Sequence, residues 1–316
     1  MSRRIYFVSD IHGSERCWRK FLASPAFYDA DTIIVGGDIT GKFIIPIIRQ
    51  NGDAVANVFG VERRASGAEE RAALARSIAD LGAYSFETTA DEYAEYQADP
   101  QRIDRLFHQL VLERIEEWVS LAEDRLRDSG VRCLVSAGND DFFEIDEILK
   151  RSQAIESHDN TVLDLGEGWQ ILGLGYANRT PWDCPRDISE EELGARIDTL
   201  AAGLERMDRA IFSIHVPPYG TALDMAPRLD ADLRPVMGAS GPELTPVGST
   251  AVLDAIKRYQ PALTVHGHVH ESRAVRKIGK TVAVNPGSEY QEGVLNGALI
   301  DLDAKKGVRG VQLVSG

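Results

Sequence analysis

Seven side chains able to hold a metal stand where short apolar runs of the chain end. Asp10 and His12 follow "IYFVS", and Asp38 follows "TIIVGG". Asn139 follows "RCLVSA", His215 ends "AIFSIH", and His268 and His270 lie in "ALTVHGHVH". Carboxylates, imidazoles and one amide oxygen, without thiolate, suit Mn²⁺, Fe²⁺ or Zn²⁺ rather than a structural zinc centre. Seven donors are too many for one tetrahedral ion and about right for two ions sharing a carboxylate. Two ions held about 3.5–4 Å apart clamp the attacking and leaving oxygens of a phosphoryl displacement.

For such residues to meet, the runs before them must be neighbouring strands. Bounded β-branched runs recur at 5–10, 32–38, 132–139, 161–166, 169–176, 210–215, 262–268, 281–287 and 297–303, and read as buried strands. A last strand, 310–315, is expected to pair with 297–303 through a turn at 304–307. Helical patterns alternate with several of them. Ser189 and Glu192 form a capping box, and Ser249 opens a helix that Pro261 stops. The result is an α/β protein with a mixed second sheet. Right-handed crossovers bring the C-terminal ends of parallel strands to one side, where open α/β sheets bind ligands.

Residues from about 41 to 130 offer no convincing strand and read as a helical insertion in a single domain spanning 1–316. Ile103, Phe107, Leu110, Ile115, Trp118, Ala122 and Leu126 recur mostly at steps of three to five, one apolar stripe. The stripe is expected to pack on the core; the runner-up is a homodimer contact.

The 316 residues carry 35 Lys and Arg against 49 Asp and Glu, a net charge of −14. That balance argues against general binding of nucleic acid, which needs a basic footprint. Cys17, Cys133 and Cys184 are too few and too scattered for a disulfide framework or a CxxC zinc site. The N-terminus lacks a signal-peptide core, and no apolar run reaches the roughly 18 residues of a membrane helix. A cytoplasmic protein without membrane contact is expected.

Asp10-Ile11-His12, Gly37-Asp38, Gly138-Asn139, His215 and Gly267-His268-Val269-His270 resemble, in order, the motif series of the calcineurin-like metallophosphoesterases. Asn285–Ser288, "NPGS", resembles a late loop of the smaller bacterial and archaeal members. The resemblance implies a four-layer α-β-β-α sandwich of two mixed sheets with two metals at one end. It implies one ion on Asp10, His12 and His270, a second on Asn139, His215 and His268, and Asp38 bridging them. The implied activity is hydrolysis of a small phosphate ester by a metal-bridging hydroxide. His266 matches a position that is not usually a ligand and reads as support or packing. His108 and His158 read as surface or core residues. Asn178-Arg179 is a weaker candidate for phosphate contact.

In the resembling family a histidine usually follows the asparagine and assists the leaving oxygen. Here that position is Asp140, the one candidate for a direct catalytic role besides the ligands; Asp141 matches the acid that often completes the motif. A carboxylate beside two cations stays ionised and is a poor general acid. The expectation is therefore a phosphodiesterase-like hydrolase, best on good leaving groups. The leading alternative is a non-catalytic metal-binding or protein-interaction scaffold. A nuclease of the same family is disfavoured by the acidic balance and the lack of a basic or aromatic tract.

Overall fold

The computed structural model describes residues 2–50, 52–239 and 241–316. Two six-stranded sheets dominate it. The first runs in the order Gly307–Ser315, Asn296–Asp303, Ser2–Val8, Thr32–Gly36, Arg132–Ser136, Ile155–Ser157. Its last four strands are mutually parallel and its first three pair antiparallel. The second runs Ala274–Ile278, Thr281–Asn285, Leu263–Val265, Ala210–Ile214, Trp169–Leu174, Thr161–Gly166, with four parallel strands in the middle and an antiparallel strand at each edge. Both sheets are thus mixed.

The pleat explains why the central runs are apolar throughout. Alternate residues point to opposite faces of a strand. Phe7, Ile34 and Leu134 face Ile171, Ile211, Val265 and Val284 between the sheets. Their sequence neighbours Val8, Val35 and Val135 turn outward onto Trp18, Phe21, Ile115, Trp118 and Ile148 of the helices Glu15–Tyr28, Pro100–Leu126 and Ile145–Arg151. On the far side Leu172, Phe212 and Ile214 pack against Leu193, Ile197, Val252 and Ile256 of the helices Glu190–Ala201 and Thr250–Tyr259. A strand buried on both faces needs apolar residues at every position. The two helices start where expected: Ser189 Oγ accepts from the Glu192 N–H, and Ser249 Oγ from the Val252 N–H. The strand Gly307–Ser315 pairs with Asn296–Asp303 as expected.

The insertion needs correction. Segment 41–130 is not purely helical: it holds the strands Phe43–Gln50, Asp53–Val58, Val61–Ser66 and Ala83–Thr89, which form their own sheet. Helices Gly67–Asp80, Ala90–Ala98 and Pro100–Leu126 accompany it. Two features hid the sheet. Pro46 interrupts the apolar run "FIIPII", and proline inside a run argues against a strand. The edge strand "VERRAS" is almost wholly exposed and charged, the composition that keeps an edge from pairing with another chain. The missed signal was the turn chemistry. Phe59 and Gly60 both take positive φ, at 49° and 87°, between the paired Val58 and Val61, as a two-residue hairpin demands.

The apolar stripe of Pro100–Leu126 packs inward. Ile115, Trp118, Ala122 and Leu126 are buried in the core, with Phe107 and Leu110 half-buried against it. The Trp18 and Trp118 rings stack with centroids 4.8 Å apart, 6° from parallel. The buried part of the stripe is therefore spent within the chain, and it offers no support for the homodimer contact. Among the described residues no helix is long and apolar enough to cross a membrane.

Candidate metal centre

The C-terminal ends of the parallel strands in both sheets open onto one cluster. Beyond Ser2–Val8 and Thr32–Gly36 the two loops continue side by side: the N–H of Asp10 bonds to the Gly37 carbonyl (3.0 Å), and that of His12 to the Asp38 carbonyl (3.0 Å). From the second sheet, the Gly267 N–H bonds to the His215 carbonyl (2.9 Å). The His268 N–H then reaches across to the Asp10 carboxylate at 2.9 Å.

Asp10, His12, Asp38 and His268 all sit in the left-handed region, with φ of 57°, 39°, 50° and 66°. Such a conformation costs a non-glycine residue of order 1 kcal/mol, and it recurs where function outweighs it. Glycines let the loops close up. A Cβ on Gly138 would lie 2.1 Å from Asp38 Oδ1, and one on Gly267 2.2 Å from Asp10 Oδ2.

The donor atoms fall into overlapping groups. One atom each from Asp10, His12 and His270 lie within 4.8 Å of one another, as do atoms from Asp38, His215 and His268. Asn139 Oδ1 is 2.9 Å from His268 Nδ1. The side chains of all seven expected ligands thus meet in one place; five are buried, and His268 and His270 are partly exposed. A third group joins His12, Asp38 and Asp140.

The donor set fits divalent cations. His215 Nδ1 lies 2.9 Å from the Gly36 carbonyl and His12 Nδ1 3.3 Å from the Thr40 carbonyl. A carbonyl only accepts, so each ring gives it the Nδ1 proton, which leaves Nε2 as the atom that can take a cation or a proton. His215 Nε2 is buried without a hydrogen-bond partner, 3.3 Å from Asp38 Oδ1. His12 Nε2 and His270 Nε2 are 3.0 Å apart. Lone pairs and carboxylates facing one another call for positive charge between them.

Protons partly supply that charge. Burial, then the Asp140 charge, pushes Asp38 up to about 7. Burial works against protonating His215, but Asp38 and Asp10 outweigh it and raise the imidazole to about 10. His268 goes the other way, to about 3, through burial and then the positive His215.

Neighbours aim the candidate donors. Asn139 Nδ2 donates to Asp187 Oδ1 (2.9 Å), which turns its Oδ1 into the cluster. Asp187 is fixed in turn by the Thr180 hydroxyl and amide, at 2.5 and 2.9 Å. Asp141 accepts from the N–H groups of Ile39, Thr40 and Gly138 and from the Thr40 hydroxyl, at 2.6–3.0 Å, locking the Asp38 loop to the Asn139 loop. Arg186, 1% exposed, pairs with Asp146 and Asp159 and donates to the carbonyls of Asp141 and Phe142. Asn285 donates to the carbonyls of Gly267 and Val269, and the Ser288 hydroxyl to that of Asp10 (2.6 Å), so "NPGS" is a clasp on two ligand loops.

Asp140 stands at the rim. Its N–H donates to Asp38 Oδ1 at 3.1 Å. Its carboxylate meets the Lys42 ammonium and accepts from the Cys184 thiol at 2.8 Å. Burial alone would raise this acid, but Lys42 and then His12 hold it well below the ordinary carboxylate range. Burial, then Asp140, pushes the thiol up to about 12, so it stays a donor. Lys42, Asp187, Arg186 and Cys184 carried no sequence signal for these contacts.

The other candidates lie outside the cluster. His266 bonds to the Ile214 carbonyl (2.7 Å) and Thr264 (2.8 Å) within the second sheet. His158 is buried on Ser213, and His108 pairs with Glu144. Asn178 bonds to the Val247 carbonyl, and Arg179 is exposed.

No protein-family model matches the chain. It is 32% identical over 123 residues to the uncharacterized protein MJ1162 of Methanocaldococcus jannaschii, a stretch covering 38% of this chain. The match spans about half, 49%, of that relative's length. Among solved structures, TT1561 of Thermus thermophilus aligns over 99% of both chains with a TM-score of 0.56 at 12% identity. A second crystal structure aligns over 99% of both chains with a TM-score of 0.55 at 15% identity. At these identities the likeness concerns architecture, and the chain shares that mixed α/β fold along its whole length.

Proposed function

We propose that this chain is a dinuclear metal-dependent hydrolase of phosphate esters, phosphodiesterase-like, of the calcineurin-like metallophosphoesterase type. One observation carries the reading: donors from five separate strand ends converge on one buried cluster whose lone pairs face one another. In this reading Asp10, His12 and His270 hold one ion, Asn139, His215 and His268 the other, and Asp38 serves both. Mn²⁺, Fe²⁺ or Zn²⁺ bound there supplies Lewis acidity and a water acidic enough to attack phosphorus near neutral pH.

The chain's own part is preorganisation. Asp187 aims the Asn139 oxygen and Asp141 ties the two central loops. Left-handed backbone at four ligands holds the donors where a flexible chain would not. Two divalent ions outweigh the two ligand carboxylates, so an anionic ester is drawn in despite the chain's net charge of −14. Asp140 remains ionised beside Lys42 and donates no proton, which favours esters with good leaving groups. Cys17, Cys133 and Cys184 are all free thiols, in keeping with a reducing cytoplasm.

The test is metal analysis of the purified protein coupled to hydrolysis of an activated diester and monoester. Two ions per chain and diester turnover are expected. Absence of bound metal after loading with each candidate ion would replace this reading with the non-catalytic scaffold.

A further inference from the structure

Beside the cluster lies a cleft of about 340 Å³ lined by Thr40, Gly41, Lys42, Phe107, Asp140, Phe142 and Trp182. A larger cavity, about 860 Å³, lies at the other ends of the strands by Arg4, Asp31 and Arg125, and shares no residue with the cluster. The smaller cleft has two distinct ends. Lys42 and Asp140 form the inner one, and Asp140 is both hydrogen-bonded to Asp38 and within the His12–Asp38–Asp140 group. The outer one is aromatic. The Phe107 and Phe142 rings meet at 6.2 Å, 76° from parallel, and Trp182 is 63% exposed.

Trp182 is not an isolated exposed side chain but shares the cleft with Phe107 and Phe142. Its loop is also tethered. Cys184 ties it to Asp140, Asp187 to Asn139, and Arg186 to the Asp141 and Phe142 carbonyls. The ring is therefore carried by the same peptide that orients a candidate ligand. Lys42 lies four residues beyond Asp38, its side chain 42% exposed. It pairs with Asp140, the residue at the position where the resembling family usually has a histidine. Apolar walls with a few convergent polar groups are the composition of a small-molecule site.

Building on the phosphoesterase reading, we infer that Lys42 meets the substrate's phosphate and that Phe107, Phe142 and Trp182 hold a planar aromatic group esterified to it. Asp140 acts as the tether that aims the ammonium. An aromatic leaving group departs as a stabilised anion with little need of a proton, so this substrate class suits a rim without an imidazole.

The experiment compares phenylphosphonate with methylphosphonate, neither of which is a hydrolysable ester, binding to Mn²⁺-loaded protein by calorimetry. The phenyl compound is expected to bind at least about tenfold tighter. Trp182→Ala, with the metal count unchanged, should reduce that preference severalfold. Lys42→Ala should weaken both phosphonates about tenfold, and Lys42→Arg should restore most of the loss. Metal content and a melting curve on each variant separate loss of contact from loss of fold; should Lys42→Ala not fold, Lys42→Gln takes its place. Equal affinities for the two phosphonates, or variants that leave both affinities unchanged, would overturn the inference. Failure of the phosphoesterase reading shows separately, as protein that takes up no metal or as metal-loaded protein that does not hydrolyse an activated ester.

Discussion

Gly138 and Asp38 approach so closely that a single methyl group on the glycine would fall 2.1 Å from the Asp38 carboxylate and 2.2 Å from its backbone nitrogen. Those atoms belong to the residue proposed to serve both ions, and backbone is on both sides of the contact. Gly138→Ala must push Asp38 or Asn139 out of register. A displacement of about 1 Å costs on the order of 10² in turnover. We expect that loss together with reduced metal content, by elemental analysis, in a protein whose circular dichroism is unchanged. Full metal loading with native turnover would contradict the assigned role of the contact.

The protons held by Asp38 and His215 should make binding of the proposed ions pH-dependent. Asp38, raised to about 7 by burial and the Asp140 charge, and His215, raised to about 10 against burial by Asp38 and Asp10, both keep protons near neutrality when no cation is bound. A divalent ion needs those groups unprotonated, so binding expels protons and strengthens as pH rises. Affinity for Mn²⁺ is expected to fall about tenfold per unit below about pH 7 for each proton displaced. Calorimetric titration in buffers of different ionisation enthalpy reads the proton release directly; a release of zero would remove the basis of this argument.

Asp187 touches no ion in the proposed arrangement, yet it decides which end of the Asn139 amide faces the cluster. Asp187→Asn lets the amide turn its nitrogen inward. Partners of this kind are worth roughly 10–100-fold in metal affinity. The loss should fall on one ion of the two, so that metal analysis moves from two per chain toward one while the melting temperature of metal-free protein barely changes.

Arg186 is the converse case, a fold residue beside the site. Replacing it with alanine strands Asp146 and Asp159, the latter 7% exposed, without their cation. Removing one partner of a buried ion pair costs about 3–5 kcal/mol. Denaturant unfolding should show a loss of that size, and activity should fall with it because the Asp141–Phe142 turn loses its clasp.

In the helix Pro100–Leu126, Trp118 stacks on Trp18 and donates from Nε1 to Glu15 Oε2 at 2.6 Å. Trp118→Ala should destabilise by about 3–5 kcal/mol by chemical denaturation. The hydrodynamic radius of the native protein should not change, since the stripe packs within the chain. A shift in association state on this substitution would revive the dimer contact.

The positions of the candidate donors were readable because they combine two signals. Asp10, Asp38 and Asn139 each follow a strand with an apolar centre, and with His12, His215, His268 and His270 they recur in one order at strand ends. The inserted sheet was not readable by the same means. Its strands are buried on one face only, one is broken by Pro46, and the edge strand "VERRAS" has a single buried residue, Ala65. Lys42, Cys184 and Asp187 were illegible for another reason. Their meaning comes from contacts made across the fold, such as the 2.8 Å approach of Cys184 to Asp140, and no local pattern encodes a partner 44 positions away. The "NPGS" motif was noticed as a likeness, but its work as a clasp needed the carbonyls it touches.

Thr32–Gly36 and Arg132–Ser136 lie side by side in the first sheet, so everything from Phe43 to Leu126 is one long detour between adjacent strands. Such a detour can be exchanged, lengthened or trimmed while the register on either side stays as it is. In the proposed site the strand ends carry the reaction, while the cleft beside it draws one wall, Phe107, from the detour and the others, Phe142 and Trp182, from loops beyond it.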